Sequence, residues 1–131
     1  MLSINRVIVC IFVVLTTIGC IKSTSVRDME IYYAVRTGGD DALTMRLTNS
    51  LEAGAPGYHP IAIDKIGSTS IVIFITSNLE FIKGKYGKYA RFRVEFVKQD
   101  KVLGAIVGQC PVNKMKRCKD SILGRLREVM E

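Results

Sequence analysis

The sequence predicts an α+β fold, a two-layer sandwich in which a mostly antiparallel sheet of four to five strands is packed by two helices. Three observations predict it. Residues 71–75 and 90–96 carry strand patterns, and residues 42–53 and 114–130 carry apolar side chains every three or four positions. Glycine-rich or polar turns separate these segments at short intervals. Helices with one apolar face, set against hairpin-connected strands, bury that face most economically in two layers.

Taken in order, residues 29–36 alternate, with Ile31, Tyr33 and Val35 on one side and Tyr32 and Ala34 on the other, which is strand periodicity. Gly38-Gly39-Asp40-Asp41 ends the strand, and the two carboxylates suit a helix N-terminus through capping and the macrodipole. Leu43, Leu47 and Leu51 then form a helical stripe, widened by Ala42 and Met45. Gly54 sits where a helix C-terminal cap is expected, and residues 54–60 read as a loop. Ile61, Ile63 and Ile66 predict a short strand, broken by Gly67. The run Ile71-Val72-Ile73-Phe74-Ile75 has the continuous apolar character of a strand covered on both faces. Leu79, Phe81 and Ile82 extend it past a bulge near Asn78.

Alternation is cleanest further on, with Ala90, Phe92, Val94 and Phe96 facing one way and Arg91, Arg93 and Glu95 the other. Gln99-Asp100-Lys101 turns the chain, and residues 102–109 return as the second arm of a hairpin. Gly104 and Gly108 thin that arm for a close neighbour. Pro111 can open the last helix, whose stripe is Met115, Cys118, Ile122, Leu126 and Val129. The expected order is β-α-β-β-β-β-α.

The N-terminal segment indicates export. Arg6 precedes an uninterrupted apolar stretch over residues 7–21, 15 residues long, which is short of the roughly 20 a membrane-spanning helix needs. A basic start, an apolar core and a small residue at the cut make a secretion signal. Gly19 directly before Cys20 resembles the lipobox of bacterial lipoproteins, although Thr17 stands where that family most often has Leu. The resemblance implies cleavage before Cys20 and a diacylglyceryl group on its thiol. Ile21 follows in place of the Asp that retains such proteins at the inner membrane, which implies the outer membrane. A plain cleaved signal and an uncleaved anchor are the other readings of the same residues. The expected organisation is a signal peptide over 1–19, a tether over 20–28 and a single α+β domain over 29–131. The protein is then lipid-anchored on the periplasmic face of the outer membrane, or periplasmic.

Cys110 and Cys118 are the two cysteines of the expected domain. An even pair in an exported chain points to a disulfide. A metal site would need more ligands, and His59 is the single histidine; neither a metal nor a cofactor is expected.

Charge is strongly polarised. Residues 20–80 hold 5 Lys/Arg and 7 Asp/Glu, whereas residues 81–131 hold 13 and 5. The densest basic stretch interleaves Lys83, Lys85, Lys88, Arg91 and Arg93 with Tyr86 and Tyr89. In a cytosolic protein that mixture points to single-stranded nucleic acid. Export argues against nucleic acid and favours an acidic protein or an anionic envelope component, such as lipid head groups. The plainer alternative is a solvated face whose Lys and Arg protect an edge strand from aggregation. A second basic cluster, Lys114, Lys116, Arg117 and Lys119, opens the last helix, where the dipole favours anions.

Catalysis has little support. His59 sits in a Gly/Pro-rich loop, Asp40 and Asp41 are explained by capping, and residues 84–88 lack the Gly-Lys-Ser/Thr ending of a phosphate loop. No nucleophile, base and orienting group come together in the sequence. The chain therefore reads as a non-enzymatic envelope lipoprotein acting as a binding or adaptor module, tethered to the membrane through its N-terminal lipid. The alternative is a periplasmic immunity protein that neutralises a delivered effector. A lipid-tethered α+β domain also looks like several small lipoproteins that assist envelope assembly or secretion, a similarity of architecture alone.

Overall fold

A computed structural model of the chain describes residues 30–67 and 70–130. The expected signal peptide, the lipidation site Cys20 and the tether over 20–28 lie outside the described residues. Alternating residues over Ile31–Thr37 form β1, followed by α1 (Ala42–Glu52). The Asp41 side chain caps α1 by accepting from the Thr44 backbone N–H at 2.8 Å. Hydrogen bonds from Thr44 hold the Asp41 carboxyl below the usual carboxylate range. Ala53 is the C-cap, and Gly54 follows at φ +74°, in the left-handed region that glycine adopts without strain.

The remaining elements are β2 (Tyr58–Pro60), β3 (Ile71–Ile75), β4 (Glu80–Gly84), β5 (Gly87–Lys98), β6 (Lys101–Pro111) and α2 (Met115–Val129), with 3-10 turns at Ile63–Lys65 and Val112–Lys114. The fold is α+β, with two α-helices and a six-stranded, mostly antiparallel sheet among the described residues. β1 lies between β2 and β3, parallel to both. β5 is long enough to organise everything else. Along one edge it pairs with β3 through residues 94–97 and with β4 through 87–91, and along the other with the whole of β6. β3 and β4 are thus two halves of one line, as Leu79, Phe81 and Ile82 predict.

Two expectations are corrected. The strand expected around Ile61 and Ile66 is a 3-10 turn, and the strand lies earlier, at residues 58–60 within the expected loop. Three residues carry no periodicity of their own, and β2 exists because β1 offers it a parallel partner. β3 is not covered on both faces. Ile71, Ile73 and Ile75 are buried, while Val72 and Phe74 are half-buried on the face away from the helices. The Arg36 guanidinium lies over Phe74 on that face, 4.6 Å from its ring centroid.

The core lies between the sheet and the two helices. Leu47 and Leu51 of α1 and Cys118, Ile122 and Leu126 of α2 are fully buried with Ile31, Tyr33, Ile73, Phe92, Val94 and Phe96. Met45, expected in the α1 stripe, is exposed, and Thr44 and Thr48 are buried in its place. Their hydroxyls are satisfied: Thr44 Oγ1 accepts from the Leu79 N–H at 2.8 Å, and Thr48 donates to the Thr44 carbonyl at 2.9 Å. Asn78 Oδ1 accepts from the Asp40 and Asp41 N–H groups, so the break between β3 and β4 clasps the start of α1. Gly108 is where the thin arm matters, since a Cβ there would lie 2.8 Å from the Phe92 ring.

Candidate binding surface

The β4–β5 hairpin turns through Lys85 and Tyr86, with Gly84 paired to Gly87. One step back, Lys83 and Lys88 stand directly opposite each other. Like charges at facing positions destabilise a sheet, so two lysines here raise the positive potential at the expense of local stability. Tyr86 at the tip is 83% exposed, and the Lys85 ammonium lies 5.5 Å from its ring centroid.

Strand alternation then divides the basic ribbon. Lys88 shares its face with the buried Ala90, Phe92 and Val94 and so points to the helix side, together with Lys83 across the pair. Tyr89, Arg91 and Arg93 occupy the opposite face. Arg91 is paired with Glu80 at 3.2 Å, and Arg93 approaches Glu95 at 3.9 Å. Among the described residues, Lys83, Lys85, Lys88 and Lys114 form no ion pair.

The second basic cluster divides in the same way. Lys114 is the N-cap of α2, where no side chain caps the helix and its first turn holds no acid. Lys116 turns to Asp120 at 3.8 Å, while Arg117 lies further along, exposed. The hairpin tip and the start of α2 meet in a groove of about 550 Å³ lined by Tyr86, Lys88, Tyr89, Pro111, Val112, Asn113 and Lys114. Of the residues singled out in sequence, Tyr86, Lys88, Tyr89 and Lys114 therefore come together, and Arg91, Arg93, Lys116 and Arg117 do not.

A disulfide fixes this geometry. Cys110 lies opposite Ala90, one residue before the end of β6, Cys118 is the fourth residue of α2, and the two are bonded with Cα atoms 5.5 Å apart. Both are buried. Arg46 of α1 adds a cation that sequence reasoning missed, its guanidinium donating to the Val112 carbonyl at 2.8 Å. No local pattern announces that contact, because Arg46 and Val112 are 66 residues apart.

His59 is not a loop residue. It lies on β2 opposite Tyr32, stacked on that ring at 5.0 Å, with Nε2 2.7 Å from Glu30 Oε1. Among the described residues, no three His, Cys, Asp or Glu side chains converge as a metal site, and no helix is long and apolar enough to cross a membrane.

No family model and no curated protein matches the chain. Among solved structures, an uncharacterised protein superposes with a TM-score of 0.49 at 12% identity, over 77% of this chain and 93% of that one. TolB from Acinetobacter baumannii gives a TM-score of 0.43 at 11% identity, over 79% of this chain and 29% of TolB. Neither likeness bears on function.

Proposed function

We propose that the protein is a non-enzymatic envelope lipoprotein whose domain binds an acidic partner or an anionic envelope component through the groove between the β4–β5 hairpin and the start of α2. The observation that carries this is that Lys88 and Lys114 line the groove, with Lys83 and Lys85 beside it on the hairpin, and that none of the four forms an ion pair among the described residues. Two of these lysines are paired across the hairpin, and Tyr86 and Tyr89 line the groove itself. A cluster that lowers local stability and pairs with no carboxylate among the described residues is rewarded when an anion supplies one. Tyrosine adds apolar contact area with a polar tip, a composition typical of protein-facing surfaces.

The test is binding of a fluorescent poly-glutamate peptide, and of vesicles containing phosphatidylglycerol, to the purified full chain. Replacing Lys83, Lys88 and Lys114 by Ala should weaken binding roughly tenfold or more and flatten its salt dependence. Arg91→Ala with Arg93→Ala should change little, since both arginines face acids on the other side of the sheet. Equal affinity in the triple variant would refute the assignment of the groove. Intact mass of the membrane-extracted protein tests the lipid half, with an acylated chain beginning at Cys20 as the expected product.

A further inference from the structure

β6 forms one outer margin of the sheet, pairing with β5 and with no other strand among the described residues. Exposed edges are normally blunted by charge, proline or a short strand. Residues 102–109 of β6 contain neither charge nor proline, and Val102 and Val107 are 51% and 58% exposed. Beside this edge runs a groove of about 540 Å³, lined by Ala105, Ile106 and Val107 from β6 and by Asp120, Ser121, Gly124, Arg125 and Glu128 from α2.

We infer that this edge is the two-fold interface of a homodimer. In it β6 pairs antiparallel with β6 of a second copy about an axis through Ile106, and α2 lies antiparallel beside α2 of that copy.

Charge complementarity singles out a second copy as the occupant. The operation that sets Ser121 opposite Gly124 of the second copy also sets Arg117 opposite its Glu128 and Asp120 opposite its Arg125. Positions 117, 121, 124 and 128 recur at helical spacing along one side of α2. Every charge on that side therefore meets its opposite, twice over by symmetry. Within the protomer Arg125 already pairs with Glu128 at 2.8 Å and Asp120 with Lys116 at 3.8 Å, whereas Arg117 has no ion-pair partner among the described residues.

The strand obeys the same axis. An axis normal to the sheet through Ile106 places Gly104 opposite Gly108 and Ala105 opposite Val107, each pair on one face. The three β6 residues centred on that axis are the ones that share a groove with Ser121 and Gly124. Gly124 weakens the helix interior, and a Cβ there would meet nothing within 4 Å. A close helix neighbour gives its absence a use. The register shift between Phe96 and Val97 skips Leu103 and breaks the regular pleat of β6 just before Gly104. The groove of the proposed function shares no residue with this interface.

Sedimentation velocity of the full chain in mild detergent tests the inference, with circular dichroism melts to confirm folding of each variant. The wild type is expected to dimerise in the micromolar range. Arg117→Glu and Val107→Lys should each raise the dissociation constant roughly tenfold or more, and R117E/E128R should recover the dimer. A wild type that stays monomeric through this range overturns the inference. So does a dimer indifferent to Arg117→Glu, or a folded R117E/E128R variant that remains monomeric while the wild type dimerises.

Discussion

Breaking the Cys110–Cys118 bond isolates how the start of α2 is held to the sheet. The bond closes a loop of nine residues, counted from Cys110 through Cys118. The chain-entropy relation assigns a loop of that length about 2.6 kcal/mol of stabilisation, through the freedom it removes from the unfolded chain. Domains of this size lose at least about 4 °C of Tm per kcal/mol, so reduction should lower Tm by roughly 10 °C or more. Calorimetric melts of oxidised and fully reduced protein, alongside a Cys110→Ala/Cys118→Ala variant, measure it. The variant should melt no higher than the reduced wild type, because both sulfurs are buried and their removal also loses packing. Melts that agree within about 2 °C, equivalent to under roughly 0.5 kcal/mol, would refute the reasoning. They would mean that the unfolded chain gains no freedom when the bond is cut. Loss of poly-glutamate affinity on reduction, at a temperature where the domain stays folded, would connect the same bond to the groove.

Three further substitutions probe the core. Gly108→Ala puts a Cβ 2.8 Å from the buried Phe92 ring, and overpacking of this kind should cost about 1–3 kcal/mol in urea unfolding. Phe92→Leu should recover part of that loss. Tyr33→Phe removes the hydroxyl that donates to the Leu51 carbonyl at 2.5 Å and should cost about 1–2 kcal/mol. Burial, followed by the charges of Glu52 and Tyr58, pushes the Tyr33 phenol up to about 12. Its folded pKa exceeds the ordinary value near 10, so its contribution is complete below pH 10 and is lost as pH rises towards 12. The variant should accordingly show a shallower fall in stability over that alkaline window, read by urea titration at each pH.

Segments that carry their own periodicity were legible without coordinates. Ala90, Phe92, Val94 and Phe96 announce the central strand, and Met115, Cys118, Ile122 and Leu126 announce the last helix. The even number of cysteines in the expected domain and the expected export together announced the Cys110–Cys118 bond. β2 was not legible, because three residues around His59 become a strand only through pairing with β1. The second face of β3 was not legible either, since a continuous apolar run looks alike whether that face is fully covered or, as for Val72 and Phe74, half-buried.

The basic ribbon shows where sequence stops. Residues 83–93 carry an unmistakable excess of positive charge, and that much the sequence determines by itself, as it determines the α+β class and the paired cysteines. Which of those charges act together is a tertiary matter. Pleating sends Lys88 to one face and Arg91 to the other, pairing gives Arg91 an acid from β4, and the fold brings Lys114 and Arg46 in from distant parts of the chain. Local order follows from the spacing of neighbours along the chain. A binding surface depends on distances between residues that only the closed sheet and the packed helices bring together.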